Sequence, residues 1–309
     1  MTSPSANQKK LFRTKLRDWY SIHARDLPWR NTHDPYAIMV SELMLQQTQV
    51  DRVIPKFNAW IHLFPSVEVL AKASTKDILS AWQGLGYNRR ALYLQKAAIF
   101  VVEECNGVFP STKEALLQLP GVGPYTAGAI MSFAYKKGAP IVDTNVFRVL
   151  GRIYLGYKVL PSTPESTLWE LSEAMVPKRG DAYTFNQAIM DFGAMQCTLR
   201  KPQCDTCPFQ KSCTSYPDIL DATTEELRYQ KKPNEKKYFG QPRRIWRGKI
   251  LKYLHTAEAR NGASLQNIGT AIQTDYSHDR EEWLQTVIDS MLKDSLIQQH
   301  KKGGPVSLP

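Results

Sequence analysis

The chain has 309 residues, with 40 lysines and arginines against 29 aspartates and glutamates, which gives a net charge of +11. At roughly 100–200 residues per domain, this length predicts two or three domains. A hydrophobic content of 42% excludes general disorder, and no stretch reaches the roughly 20 apolar residues that cross a bilayer. The polar residues 1–10 lack the apolar core of a secretory signal, so a cytoplasmic protein is expected. The excess of positive charge predicts a polyanionic partner, and a basic but otherwise ordinary enzyme is the alternative.

Apolar residues recur every three to four positions along most of the chain, which predicts helices. The first predicted helix covers residues 9–25 and is followed by a break near Pro28. Residues 36–128 are predicted to form consecutive helices separated by turn signals, and residues 143–195 a second helical stretch. Ser111 and Glu114 fit a capping box at the start of one helix. Since no long β-alternation occurs, the predicted fold class is all-α.

The composition changes after Cys213. Residues 228–252 contain ten lysines or arginines and one acid, and we interpret residues 216–240 as a basic linker. Three short amphipathic stretches follow, at residues 245–254, 265–272 and 283–292, and a hairpin is predicted around Gly303 and Gly304. Three helices followed by a hairpin is the order of a winged-helix domain, which commonly binds DNA; a small helical packing domain is the alternative.

Residues 119–128 have the sequence LPGVGPYTAG. Gly121, Val122 and Gly123 are predicted to form a tight turn between two helices, the second of which begins near Pro124. Glycines let a phosphate approach backbone amides, and a helix N-terminus attracts negative charge. The motif therefore predicts the hairpin of a helix-hairpin-helix element, which grips a DNA backbone without reading bases.

Two carboxylates are candidates for chemistry. Asp143 precedes an apolar helical pattern and is a predicted N-cap; this close to the hairpin, it can also face a bound sugar-phosphate. Glu42 lies in an apolar segment between Val40 and Leu43. Desolvation there would raise its pKa and let it hold a proton near neutrality. The alternative for Glu42 is a structural glutamate paired with an arginine.

Four of the five cysteines form one cluster with the spacing C-x6-C-x2-C-x5-C: Cys197, Cys204, Cys207 and Cys213. One tight cluster in a long chain predicts metal binding rather than disulfides. Structural zinc sites usually use two short cysteine pairs, whereas only one short pair is present here. The spacing therefore favours a [4Fe–4S] cluster, with zinc as the alternative. Cys105 stands apart and is predicted to be a core residue.

The chain resembles the endonuclease III superfamily of DNA glycosylases over residues 11–213. The resemblance lies in the order of three features: the glycine hairpin, then Asp143, then the cysteine cluster. The resemblance implies an all-α fold of two lobes with DNA in the cleft, and a [4Fe–4S] cofactor. Residues 1–30 and 140–215 would form the iron–sulfur lobe and residues 31–139 a six-helix barrel lobe. The basic linker, residues 216–240, and a winged-helix-like domain, residues 241–309, would follow.

Within that superfamily, residues 41–50 (SELMLQQTQV), 27–30 (LPWR), 84–87 (GLGY) and 185–188 (FNQA) resemble the adenine-removing MutY-type branch. Enzymes that also cleave the strand carry a lysine at the position of Tyr125, and tyrosine cannot form the imine. The resemblance therefore implies a monofunctional glycosylase. It assigns Glu42 as the general acid that protonates adenine N7 and Asp143 as the group that stabilises the oxocarbenium-like sugar.

The same resemblance assigns further positions. Tyr125 and Asn145 would hold the two carboxylates and the sugar. The adenine pocket would be lined by Trp29, Arg30 and Gln187. Once the base has left the stack, the vacated duplex would be filled or wedged by Gln46, Gln47 and Tyr87. The expected partner is double-stranded DNA containing a mismatch or an oxidised guanine, bound by a monomer with no membrane contact, and associated with the nucleoid if the source is prokaryotic.

The resemblance ends at Cys213. Residues 216–309 do not have the pattern of the Nudix-type domain that reads 8-oxoguanine in well-known adenine glycosylases. Adenine opposite 8-oxoguanine or guanine is the predicted substrate. A thymine or uracil glycosylase acting on G·T or G·U mismatches is the alternative, because that branch also carries tyrosine at the position of Tyr125. A non-catalytic winged-helix DNA-binding protein is the third reading, and the intact carboxylates, cysteines and hairpin disfavour it.

Overall fold

The computed structural model describes residues 4–178, 181–227, 235–259, 261–277, 281–299, 301 and 303–309. Residues 228–234 of the predicted basic linker lie outside this described part. The described chain is mostly helical, as the apolar spacing predicts. None of its helices has the length and apolar content needed to span a bilayer.

The helices in chain order are α1 (Ala6–His23), α2 (Pro35–Leu45), α3 (Val50–Leu63), α4 (Val67–Lys72), α5 (Thr75–Ala81), α6 (Arg89–Glu104), α7 (Lys113–Leu116), α8 (Pro124–Phe133), α9 (Thr144–Tyr154), α10 (Glu165–Met175), α11 (Ala182–Met195), α12 (Arg243–Leu254), α13 (Leu265–Ile272) and α14 (Glu281–Lys293). The strands are β1 (Lys237–Tyr238), β2 (Gln241–Pro242), β3 (Gln298–Gln299) and β4 (Val306–Ser307). They form two antiparallel hairpins, β1 with β2 and β3 with β4.

Two compact units divide the chain. Unit 1 consists of Met1–Glu42, Phe109–Gln118 and Val122–Lys232, and unit 2 of Leu43–Val108, Leu119–Gly121 and Pro233–Pro309.

The core of unit 1 is built where α1 packs on α11. Phe12, Leu16 and Trp19 form the buried face of α1 at helical spacing. Trp19 meets Phe192 of α11 edge to face, with ring centroids 5.0 Å apart, a geometry that aromatic pairs favour. Because α11 is buried along most of its length, it is a fixed support for the polar side chains it carries.

The core of unit 2 has two parts. Trp60 and Trp82 are buried and meet edge to face among α3–α6, with ring centroids 5.4 Å apart. A second cluster surrounds Trp246 and Trp283 of α12 and α14, and it also contains Leu79 and Leu92 of α5 and α6. The C-terminal helices therefore pack against α5 and α6 through a common apolar core.

The C-terminal elements match the predicted order of three helices and a hairpin. Gln299 of β3 pairs with Val306 of β4. Ala263, which precedes α13, also exchanges two backbone hydrogen bonds with Val306, each 2.8 Å long. These bonds tie the α12–α13 connection to the hairpin.

One predicted helix start is wrong. Helix α7 begins after Thr112 rather than Ser111, because the Thr112 hydroxyl accepts a hydrogen bond from the Ala115 backbone amide at 3.3 Å. The predicted turn before α8 is confirmed: Gly121 has φ +83° and Gly123 is the N-cap of a helix that begins at Pro124.

Candidate active site

Glu42 and Tyr125 form a buried hydrogen-bonded pair in unit 1. Glu42 lies in the last turns of α2 with only 4% of its surface exposed. The Tyr125 hydroxyl, from the first turn of α8, donates to Glu42 Oε2 at 2.7 Å. No arginine or lysine of the described residues forms an ion pair with Glu42, so the alternative of a structural salt bridge finds no support there.

Burial raises the pKa of Glu42 to about 7. The Tyr125 hydrogen bond opposes this rise, and the negative charge of Asp143 adds to it. Burial and the adjacent carboxylates raise the pKa of the Tyr125 hydroxyl well above its ordinary value. The tyrosine therefore stays protonated and donates to Glu42, while Glu42 itself can hold a proton near neutral pH.

Asp143 is held differently. As predicted, it is the N-cap of α9: Oδ1 accepts from the backbone amides of Asn145 at 2.9 Å and Val146 at 2.7 Å. Oδ2 accepts from Asn145 Nδ2 at 2.8 Å. Burial raises the pKa of Asp143, and these three donors oppose the rise by stabilising the ionised form. The half-buried carboxylate is therefore fixed in orientation and suited to facing a cation.

Arg148 anchors Asn145 in turn. Its Nη2 donates to Asn145 Oδ1 at 2.7 Å, and its Nε donates to the Cys197 carbonyl at 2.7 Å. Gly193 of α11 lies against Asn145 so closely that a Cβ there would be 2.6 Å from the Asn145 Cβ. The chain from Asp143 to the first cysteine of the cluster is thus one connected hydrogen-bond network.

The three residues expected to line a base pocket lie on two segments linked by a buried ion pair. Trp29 and Gln187 are buried. Arg30 donates to both carboxylate oxygens of Asp191, at 2.8 and 2.9 Å, and Arg25 also pairs with Asp191. Although burial acts to raise it, the hydrogen bonds from Arg30 and Arg25 hold the pKa of Asp191 below its usual value. Arg30 Nε is buried without a hydrogen-bond partner in the described residues.

Sequence reasoning missed Asp191, which fixes the Arg30 terminal nitrogens in place. It lies one helical turn after Gln187 on α11, so the two share a helix face. Asp191 is the one charged residue of the helix α11, and this was the available signal. Arg30 is therefore a buried structural partner as well as a candidate pocket residue.

The three wedge candidates lie on two loops of unit 2. Gln47 and Tyr87 are exposed and have φ values of 55° and 45°, in the left-handed region that non-glycine residues rarely adopt. Gln46 is half-buried. The left-handed backbone of Gln47 and Tyr87 persists only where neighbouring residues impose it.

Arg90, a second residue that sequence reasoning missed, supplies this constraint. Its buried guanidinium donates to carbonyls at the end of α2, at 2.7 Å for Leu43 and 3.1 Å for Met44. It also donates to the carbonyls of Gln46 and Gly86. One side chain therefore ties the loop that carries Gln47 to the loop that carries Tyr87.

In the predicted hairpin, Gly121 could not carry a side chain. A Cβ there would lie 2.6 Å from the Tyr93 Cβ, and the positive φ disfavours other residues. Val122 is buried. A Cβ at Gly123 would meet nothing within 4 Å, so the backbone at the start of α8 is open to approach.

The four clustered cysteines line one small cavity together with Arg152. Arg152 Nη1 lies 3.7 Å from Cys197 Sγ. Burial, reinforced by the neighbouring thiols, raises the pKa of Cys204 to about 11. Among the described residues no set of three or more His, Cys, Asp or Glu side chains is placed to hold a single metal ion. Cys105, predicted as a core residue, is half-buried at the end of α6, so that prediction is wrong.

Residues 40–174 match the family described as HhH-GPD superfamily base excision DNA repair protein. The chain is 36% identical to an adenine DNA glycosylase of Mycolicibacterium smegmatis over 94% of its own length and 93% of that protein. It is 45% identical to the adenine DNA glycosylase of Mus musculus over 66% of its own length. It spans only 42% of the mouse protein.

Two solved structures are similar in fold. A thermostable thymine-DNA glycosylase matches with a TM-score of 0.65 and 34% identity, over 70% of this chain and all of that one. Endonuclease III in a non-covalent DNA complex matches with a TM-score of 0.58 and 21% identity, over 69% of this chain and 99% of that one. At that identity, the second similarity concerns the fold alone.

Replacing Arg90 by lysine should loosen the loops that carry Gln47 and Tyr87, which we call the wedge loops. The reason is that an ammonium has three hydrogen-bond donors where the guanidinium has five. Carbonyls left without a donor cost about 1–3 kcal/mol. We expect a lower thermal unfolding midpoint and weaker binding to a mismatched duplex. The matched control is Arg89→Lys, since Arg89 is exposed and makes a surface ion pair with Asp294. Equal effects of the two substitutions would contradict the assigned role of Arg90.

Proposed function

Because the chain belongs to the adenine DNA glycosylases of the HhH-GPD superfamily of base excision DNA repair proteins, we propose that it hydrolyses the N-glycosidic bond of adenine mispaired with 8-oxoguanine or guanine in duplex DNA. The observation that carries this proposal is the desolvated carboxyl of Glu42, with its pKa near 7 and its hydrogen bond from Tyr125.

Adenine leaves its sugar readily only when N7 is protonated. Glu42 in its protonated form donates that proton, as a general acid whose pKa is close to the working pH. Cleavage of the bond leaves an oxocarbenium-like sugar, and the ionised Asp143 faces that cation and stabilises it. Water then adds to the sugar carbon, which completes hydrolysis. The two carboxylates thus have different tasks, as in glycoside hydrolysis.

Recognition requires the base to leave the helical stack. In this proposal Trp29, Arg30 and Gln187 line the pocket that receives adenine, with the Arg30 side chain held in place by Asp191. Gln46, Gln47 and Tyr87 occupy the space that the base vacates. Gly121, Val122 and Gly123 bring backbone amides to a DNA phosphate. Tyr125 and Asn145 hold the two carboxylates.

For the cofactor we propose a [4Fe–4S] cluster held by Cys197, Cys204, Cys207 and Cys213. The support is an all-sulfur donor set around one cavity, with Arg152 beside Cys197 Sγ. Because the pKa of the Cys204 thiol is raised to about 11, binding of the cluster would release thiol protons and be favoured by higher pH. When bound, the cluster cross-links this loop, to which Arg148 is hydrogen-bonded through the Cys197 carbonyl.

Analysis of iron and acid-labile sulfide in the purified protein tests this assignment. We expect about four of each per chain, as a [4Fe–4S] cluster requires, and loss of both in the Cys207→Ser variant. The Cys105→Ser variant, outside the cluster, is the control. One zinc ion per chain without sulfide would contradict the assignment.

The proposal includes an iron–sulfur lobe of residues 1–30 and 140–215, a six-helix barrel lobe of residues 31–139, a basic linker of residues 216–240 and a winged-helix-like domain of residues 241–309. Residues 1–30 and the described part of 140–215 both fall within unit 1, which supports a shared iron–sulfur lobe. The α12–α14 helices, the β3–β4 hairpin and the bonds from Ala263 to Val306 support a winged-helix-like domain over residues 241–309. Because a cluster held by free thiols fits a reducing compartment, we expect the protein in the cytoplasm.

Thymine release from G·T mismatches is the second candidate. It is favoured by the similarity to a thymine-DNA glycosylase at 34% identity and a TM-score of 0.65. The identity to adenine DNA glycosylases over nine tenths of the chain favours adenine.

Single-turnover base release from five duplexes separates the two candidates. With A·8-oxoguanine, A·G, A·C, T·G and U·G pairs, we expect release of adenine and none of thymine or uracil. Glu42→Gln should bind the same duplexes and release no base. Faster release from T·G than from A·8-oxoguanine would contradict adenine as the substrate. Full activity of Glu42→Gln would contradict Glu42 as the general acid.

The pH dependence of base release tests the proton on Glu42. Because the protonated form is required, the single-turnover rate should fall as pH rises through about 7. Tyr125→Phe removes a hydrogen bond that lowers the pKa of Glu42, so its alkaline limb should move to higher pH whatever its maximal rate. A limb that stays in place, or moves to lower pH, would contradict this coupling.

A further inference from the structure

Helix α12 has two faces of opposite character. Trp246, Ile250 and Leu254 are buried in the core of unit 2. Arg244, Gly248 and Lys252 follow one another at intervals of four residues and are exposed, so they share one face of the helix. The exposed face is therefore cationic, while the other face anchors the helix.

This cationic face lines a groove of about 460 Å³ within unit 2. The opposite wall consists of residues 83–88, and Gln47 and Arg52 also contribute. The groove contains four cations, Arg52, Arg244, Lys249 and Lys252, and no carboxylate among the described lining residues. Arg244 pairs with Glu235 outside the lining, which leaves the groove with a clear positive excess.

Glycine at position 248 gives the groove its depth. A glycine in the middle of a helix costs about 1 kcal/mol relative to alanine. A Cβ at Gly248 would meet nothing within 4 Å, so no packing contact explains the glycine. Gly86 on the opposite wall is equally open. A bound group could therefore approach the backbone closely from both sides.

The groove adjoins the wedge loops, because Gln47 and Tyr87 are themselves lining residues. Arg90 connects the two loops that carry these residues. The groove begins beside the side chains of Gln47 and Tyr87. A duplex wedged by Gln47 and Tyr87 would place its nearest phosphates in or beside the groove.

We propose that this groove binds the phosphate backbone of the duplex within a few nucleotides of the mispair. Lys249 and Lys252 supply the phosphate contacts, and α12 forms one continuous DNA surface with the wedge. The basic C-terminal region thus takes part in binding at the mispair itself and is not only a tether to distant DNA. The inference rests on the proposed function for the identity of the ligand as duplex DNA.

The test is binding of the full-length protein to a duplex that carries a non-hydrolysable abasic analogue opposite guanine. Each phosphate contact contributes about 0.9 to the slope of log affinity against log salt concentration. Lys249→Gln/Lys252→Gln should therefore reduce that slope by about 2. The matched control is Lys293→Gln/Lys301→Gln, which removes two exposed lysines of the same region that do not line the groove. Thermal unfolding midpoints of both variants check that folding is unchanged.

Neutral methylphosphonates locate the contact. Replacing single phosphates within three nucleotides of the analogue should weaken binding by the wild type, and the Lys249→Gln/Lys252→Gln variant should not respond to the same replacements. Gly248→Glu, which adds bulk and negative charge, should weaken binding more strongly than Gly248→Ala, which adds only a methyl group at the same place. Equal slopes for the groove and control variants, or equal responses of variant and wild type to neutral phosphates, would overturn the proposal. Since binding is measured without base release, failure of the glycosylase assay remains a separate outcome.

Discussion

The proposed catalysis depends on one carboxyl group being kept out of water. Glu42 lies in an apolar helix and receives one hydrogen bond, from a tyrosine that itself cannot ionise near neutral pH. A buried carboxylate without a cationic partner is costly in free energy, so the carboxyl of Glu42 takes up a proton. Burying this carboxyl lowers the folding stability of the protein and would supply the acid. Active sites commonly show such an exchange of stability for activity.

The contrast with Asp143 shows how two carboxyls of one protein become suited to opposite tasks. Asp143 accepts from two backbone amides and from Asn145, and Arg148 fixes Asn145 from the other side. Donors stabilise the charged form, whereas burial alone stabilises the neutral form. The same type of side chain is thereby suited to stabilising a cation at the start of α9 and to donating a proton in α2, the two roles proposed above.

Local chemistry was predictable from the sequence, and long-range partners were not. The Asp143 cap, the Gly121 turn and the three C-terminal helices follow from short patterns of capping residues, glycine and apolar spacing. Arg90 binds carbonyls that lie 44–47 positions before it in the chain. Arg30 and its partner Asp191 are 161 positions apart. A charged residue within an apolar pattern signals burial, but only the packed fold supplies its partner. Likewise, the basic residues of 228–252 indicated an anionic ligand. Only the fold shows that Arg244, Lys249 and Lys252 of this segment lie beside the wedge loops.

The most direct test of the central claim is an infrared titration of Glu42 in the folded protein, with Glu42→Gln as the reference. Because the folded state holds this proton more tightly than an unfolded chain with a pKa near 4.5, the stability it contributes is full below that pH and is lost as pH rises through about 7. A protonated carboxyl band that is absent from Glu42→Gln should persist at pH 6 and disappear with a midpoint near 7. A midpoint near 4.5 would contradict the account.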